Sequence, residues 1–250
     1  MKTLSFIILI SFFPSFLSAD SQSSVQQLLT EGNKLYEEGK YEQAIEKYKN
    51  IISSGIHNGY IYYNLGNCYF KTGRIGYSIL YYEKALKLIP RDAELIHNLK
   101  FVKNLTQDKV VAKKPSFLFF ITIQLLNRFS LKEIVSIVSL LFSLTGLFAI
   151  FFILQSNIQI LKNVTISFLV IFVFSAFLLS LKIKIINKKM GVVTTKVVDV
   201  LSAPSQDATL EFTIHEGTEL DIIQQLGGWV KVKLLDGKTG WVPENSFSQI

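Results

Sequence analysis

The sequence predicts a multidomain chain: all-α helical repeats, then a two-helix transmembrane hairpin, then a small all-β barrel. Three observations carry this reading. A 34-residue echo runs through the first hundred residues. Two long uncharged runs, Ile134 to Leu161 and Asn163 to Leu181, come next. Past Met190 the apolar spacing shortens from helical to strand-like, with glycine-containing turns.

Composition agrees with this order. At 49% hydrophobic residues and a mean hydropathy of +0.35, the chain is more apolar than an ordinary soluble domain. The net charge of +7 is not a nucleic-acid footprint. The basic excess flanks the apolar runs, whereas residues 190–250 are net acidic. A single cysteine excludes an internal disulfide and a cysteine-based zinc cluster.

Residues 1–19, MKTLSFIILISFFPSFLSA, have the form of a secretory signal peptide. Lys2 gives the positive start, Leu4 to Leu17 the apolar stretch, and Leu17-Ser18-Ala19 the exit. Residue 20 onward is then expected across the membrane.

Residues 20–112 form the repeat domain. Gly32 is echoed by Gly66, Asn33 by Asn67, Gly39 by Gly73 and Tyr48 by Tyr82. The copy over 59–92 reads Tyr62-x-x-Leu65-Gly66-x-x-Tyr69, then Ser78-x-x-x-Tyr82, Ala85 and Pro90. The copy over 25–58 keeps Gly32, Ala44 and Tyr48. Period and positions resemble the tetratricopeptide repeat, a helix–turn–helix unit. Gly32 and Gly66 let paired helices approach closely, and Pro90 ends the second unit. A third copy starts in phase at Ala93 but fails at once, with no glycine 34 residues after Gly66. Residues 93–106 are expected to form a lone closing helix, because each repeat leaves an apolar face uncovered.

Residues 113–189 read as the membrane region, opened by Lys113-Lys114-Pro115. Ser116 to Asn127 is uncharged but short for a crossing, and is expected to be interfacial or re-entrant over 116–127. Ile134 to Leu161 would be about 42 Å long as one helix, against a hydrocarbon core of about 30 Å. The expectation is one crossing over 134–154, a polar connector around Gln155-Ser156-Asn157, and a second crossing over 163–181. Lys182, Lys184, Lys188 and Lys189 stop the second, since a lysine at mid-bilayer costs about 3 kcal/mol. Both flanking domains then share one side of a bacterial inner membrane. The signal peptide puts that side outside the cytoplasm, whereas the lysines on the outer flanks favour the inside. The expectation follows the signal peptide.

Residues 190–250 read as short strands: TKVVDVLSAP, TELDIIQQL, and GGWVKVKLLDGKTGWV with a turn at Asp236-Gly237. Glu216-Gly217-Thr218, Gly228-Trp229-Val230, Asp236-Gly237 and Gly240-Trp241-Val242, in that order, look like a bacterial SH3-like domain. Signal, two repeats, hairpin and SH3-like tail together resemble the BatE-type proteins of bacterial aerotolerance operons. That resemblance implies a membrane-bound accessory protein beside von Willebrand A-domain proteins and a MoxR-type ATPase.

The motifs of common catalytic sites are absent: no GxSxG, HExxH, GxxxxGK[ST] or GxGxxG occurs. His57, His97 and His215 have no metal-ligand spacing, and no cofactor is expected. On a helix, Tyr62, Leu65, Gly66 and Tyr69 share the packing face. Tyr60, Tyr63, Asn64, Asn67 and Phe70 fall on another, which in the tetratricopeptide family lines a groove for an extended peptide. Asn33 and Tyr36 take those positions in the first repeat, and His97 and Asn98 in the closing helix. An amide side chain offers two donors and an acceptor, enough to pair with a peptide backbone. The lysines of the family's carboxylate clamp are missing, with Leu29 and Glu94 at two of those positions. Cys68 reads as a packed thiol, and Trp229 and Trp241 as barrel core or as the flanks of a ligand groove.

The function expected is a membrane-anchored, non-catalytic adaptor gripping a protein or peptide through its repeats, with the lipid bilayer as its other partner. One rival is a cell-wall protein binding peptidoglycan through its SH3-like domain. Another is a thiol-dependent redox enzyme, against which a cysteine without a resolving partner argues.

Overall fold

The computed structural model describes residues 19–110, 116–155 and 158–250. Apart from Ala19, the signal-peptide reading falls outside them. So do Lys113-Lys114-Pro115 and the Ser156-Asn157 part of the polar connector.

Two helix hairpins come first: α1 (Ala19–Glu37) with α2 (Tyr41–Ser53), and α3 (Gly59–Lys71) with α4 (Ile75–Leu88). Both close on the same turn. Gly39 has φ +75° and Gly73 φ +76°, a region that side chains disfavour. In the first, Gly39 N–H donates to Tyr36 O and Lys40 N–H to Leu35 O; in the second, Gly73 N–H donates to Phe70 O and Arg74 N–H to Tyr69 O. This pair of bonds satisfies carbonyls that a helix end leaves free. The close approach read from Gly32 and Gly66 has a specific cause. A Cβ on Gly32 would lie 2.8 Å from Tyr48 Cε1, and one on Gly66 2.5 Å from Tyr82 Cε1. Each repeat thus lays a tyrosine ring of its second helix on a bare glycine of its first.

A fifth helix, α5 (Ala93–Leu105), follows the two hairpins and buries Leu95, Leu99 and Val102 against them. Its N-cap Asp92 accepts from Leu95 N–H at 2.9 Å.

Three apolar helices come next: α6 (Phe117–Asn127), α7 (Leu131–Leu154) and α8 (Gln159–Ile186). A capping box starts α7, with Ser130 and Glu133 bonding each other's backbone N–H. The ring pairs Phe142–Phe172 (5.5 Å) and Phe148–Phe168 (4.9 Å) show α7 and α8 running antiparallel. Most of their large apolar side chains, such as Phe142, Ile153, Val170 and Phe174, are exposed. Both helices are long and apolar enough to cross a membrane.

The C-terminal part is one antiparallel sheet of seven strands: β1 (Met190–Val193), β2 (Val197–Leu201), β3 (Leu210–His215), β4 (Glu219–Leu226), β5 (Trp229–Leu234), β6 (Thr239–Pro243) and β7 (Phe247–Gln249). Their order is β3-β2-β6-β5-β4-β1-β7. Alternating residues such as Val198, Val200, Val230, Val232 and Val242 form its core. Gly237, at φ +100°, makes the β5–β6 turn. The sequence reading had no strand for β1, β3 or β7, which are short or only partly buried.

The sheet does not stand apart from the helices. Val192 of β1 is buried in the helical core, and Ile250 packs on it. The turn His215-Glu216-Gly217-Thr218-Glu219 meets α4, α5 and the segment just after α5 through every residue. Glu216 Oε1 accepts from Gly76 N–H at 2.8 Å. A Cβ on Gly217 would meet Thr106 and Ile79. Asp108 accepts from His215 N–H (2.6 Å) and from Thr218 Oγ1 (2.5 Å), and its other oxygen lies 2.9 Å from His215 Nδ1. Lys103 bridges Glu83 (2.6 Å) and Glu219 (2.8 Å).

Candidate peptide-binding groove

The inner faces of α1, α3 and α5 border a cleft of about 430 Å³. Six of the nine residues singled out from sequence line it: Tyr36, Tyr63, Asn67, Phe70, His97 and Asn98. Asn33 and Asn64 lie beside it, linked by Asn64 Nδ2 donating to Asn33 Oδ1 at 3.3 Å. Tyr60 does not belong to it. It is exposed and borders a separate hollow with Ile89, Arg91 and Glu133. It opens α3, too early in the helix to reach the inner face.

The asparagines are less free than their spacing implied. Tyr48 donates its hydroxyl to Asn33 Oδ1 at 2.8 Å, and Tyr82 donates to Asn67 Oδ1 at 2.5 Å. The glycine that receives each ring is followed by the asparagine that receives its hydroxyl. A buried phenol needs such a partner, so Asn33 and Asn67 serve the packing of their own repeats. Each keeps amide donors for a ligand. Asn98 Nδ2 donates to Tyr63 OH at 2.8 Å, and Tyr63 reaches Glu94 Oε2 at 3.3 Å. The Tyr63 and Tyr82 rings lie 5.8 Å apart.

The sequence reading missed Phe101 and Lys71. Phe101 meets Phe70 edge-on at 5.9 Å and stays half exposed in the cleft. Its departure from the repeat pattern, an aromatic 34 residues after Asn67 where the repeats carry asparagine, is the available signal. Lys71 adds an exposed cation to the wall.

Electrostatically the cleft is quiet. Burial raises the Tyr36 and Tyr63 phenols, so they remain neutral donors at ordinary pH. Cys68 is fully buried on the packing side, and burial pushes its thiol up to about 12. A thiol so protonated is a poor nucleophile. Among the described residues, no three His, Cys, Asp or Glu side chains gather to hold a metal ion. Hydrogen bonding and aromatic contact are what this cleft can offer.

A second hollow, about 590 Å³, opens on the sheet beside Trp229, Pro243, Asn245 and Asp199. It shares no residue with the turn 215–219 that faces the helices. Trp241 is buried, whereas Trp229 is half-buried at this hollow.

No curated protein matches the chain. Residues 59–92 match the tetratricopeptide repeat family, and residues 196–248 match the bacterial SH3 domain. Repeat hairpins at one end and an antiparallel SH3-like sheet at the other make this a tetratricopeptide-repeat and bacterial SH3 domain protein.

Proposed function

We propose that the chain is a membrane-anchored, non-catalytic adaptor that holds an extended segment of a partner protein in the repeat cleft. The observation that carries this is the cleft wall itself. Neutral phenols, amides and the Phe70–Phe101 pair surround about 430 Å³, with a single exposed lysine. Such a wall reads backbone shape and apolar side chains rather than a charged terminus. A photo-crosslinking residue at Phe101 should capture partner protein from native membranes, while one at Glu46, on the exposed side of α2, should not. Equal capture at both sites would sink the reading.

The anchor in this proposal is the α7–α8 hairpin, which puts both domains on one side of the inner membrane. The signal-peptide reading puts that side outside the cytoplasm. Alkaline phosphatase fused after Ile250 should then be active in a bacterial host; an inactive fusion with a protease-protected tail would reverse it. The order of modules supports an aerotolerance role beside von Willebrand A-domain proteins and a MoxR-type ATPase. Co-purification of such proteins from native membranes tests that narrower claim.

A second reading rests on the hollow at Trp229, which is open to a wall peptide. Purified sacculi should retain the intact protein and release Trp229→Ala if that hollow binds peptidoglycan.

A further inference from the structure

Another hollow, about 480 Å³, lies where α4, α5, α6, α8 and β1 converge. Its walls are of two kinds. Leu86, Ile96, Ile185 and Ile186 supply apolar surface, while Lys87, Arg128 and Lys182 supply three cations. Glu83 also borders it, but its carboxylate is tied to Lys103 at 2.6 Å. Lys182 is 6% exposed, and its ammonium donates to Leu126 O at 3.0 Å. Lys87 donates to Ile250 O at 3.2 Å. No Asp or Glu carboxylate lies within 4.0 Å of either lysine or of Arg128 among the described residues. Burial pushes Lys87 below the usual lysine range, and the nearby Glu83 carboxylate offsets this only in part, so this cation has lost water without a matching gain in charge pairing. Desolvated cations in that condition favour an anionic ligand.

Position narrows the ligand. Lys182 is the first charge after the uncharged run Asn163 to Leu181, where the hydrocarbon core would end. Beside it, α6 exposes Phe117, Phe120, Ile121 and Leu125, an apolar face suited to lying in a lipid interface. The hollow therefore sits at headgroup depth and brings cations and apolar walls together. A soluble phosphate would use only the cations. A phospholipid would use both.

We propose that this hollow is a binding site for an anionic phospholipid, its phosphodiester held by Lys87, Arg128 and Lys182 and its glycerol and upper acyl chain against Leu86 and Ile185. The site rests on the membrane reading of α7 and α8. Carbonate extraction of the full chain tests that reading first: release from the membrane pellet overturns both.

With the chain retained, the detergent-solubilised full protein is titrated with phosphatidylglycerol or phosphatidylcholine, and bound lipid is counted by native mass spectrometry. Phosphatidylglycerol should be retained several-fold more than phosphatidylcholine. Lys87→Gln with Arg128→Gln should bring the ratio near one. Lys162→Gln, in the connector at the far end of the hairpin, should leave it unchanged. Millimolar glycerol phosphate should not displace the bound lipid. Equal retention of the two lipids overturns the site, as does an unchanged ratio in the double variant or an equal loss in Lys162→Gln. Displacement by glycerol phosphate alone would make it a site for soluble phosphate and not for lipid.

Discussion

Glu216 caps a helix to which it is not connected: its carboxylate accepts the N–H of Gly76, 140 residues away in sequence. The N-cap residue of α4, Arg74, makes no capping bond of its own. The first N–H groups of a helix lack internal partners and carry partial positive charge. The SH3-like turn supplies what the repeat omits. Gly76 permits the approach, since a Cβ there would meet Glu216 Cγ at 2.8 Å and the Val193 carbonyl.

Removing the cap should therefore loosen the two modules from each other. Glu216→Ala is expected to cost about 1 kcal/mol and to speed amide exchange in residues 75–79 and 192–194 together. Gly76→Val should do the same through a clash while leaving the carboxylate in place. Exchange that rises only in the sheet would mean the contact does not cap α4.

Asp108 should make the junction acid-sensitive. Burial alone would raise its carboxyl, but hydrogen bonds from Thr218, from His215 N–H and from the His215 ring hold it below the usual aspartate range. Such a group stabilises the folded state above the unfolded value of about 3.9. That contribution is lost as pH falls through the depressed folded value. Protection of the 215–219 amides should fall below about pH 4 in the parent protein. In Asp108→Asn it should be weaker at neutral pH and flat through that range. A parent profile as flat as the variant's would refute this.

Lys103 sits between two carboxylates, and the balance there is charge against burial. Burial lowers the lysine, yet Glu83 and Glu219 hold it above its usual range. Burial, with the neighbouring Glu83 carboxylate, raises Glu219 against the lowering by Lys103. A raised carboxyl favours folding at low pH and loses that advantage as pH rises through its folded value, the reverse of Asp108. Lys103→Met should cost about 3 kcal/mol at neutral pH by leaving two carboxylates face to face. Adding Glu219→Gln should recover most of it. Urea denaturation of the single and double variants gives the comparison, and no recovery would show that the lysine matters only for packing.

In the cleft, stability and binding should separate by residue. Asn67→Ala strands the Tyr82 hydroxyl and should cost about 1–2 kcal/mol. His97→Ala and Phe101→Ala, both on the cleft wall, should cost less than about 1 kcal/mol but weaken capture of partner protein. Thermal melts beside crosslinking yields decide the matter. A destabilised Phe101→Ala with normal capture would make that ring structural.

The repeat hairpins were legible because they reuse one local device every 34 residues, a glycine under a tyrosine ring beside an asparagine. Each part of it lies within about one hairpin of the next, so the spacing exposes it. What spacing could not reveal was a second duty for a residue. Asn67 reads as a groove amide until Tyr82 is seen to claim its carbonyl. Tyr60 shares the helical phase of Tyr63 and Asn67 but precedes the groove by a turn. The junction was hidden for a different reason. Asp108 and His215 are 107 positions apart with the whole apolar hairpin between them, and nothing local distinguishes an acid that will dock from one that will face water. Glu216-Gly217-Thr218 belongs to a domain pattern, which says nothing about the surface it meets.

That junction also bears on how strong it needs to be. Because the chain leaves the helices near Asp108, runs out and back through α7 and α8, and re-enters at Met190, the two modules never diffuse apart. Tethers of this kind hold partners at effective concentrations on the order of millimolar. A contact too weak to form between separate molecules at micromolar levels would then stay closed nearly all the time within one chain. The same polar side chains, cut onto two polypeptides, would find each other rarely.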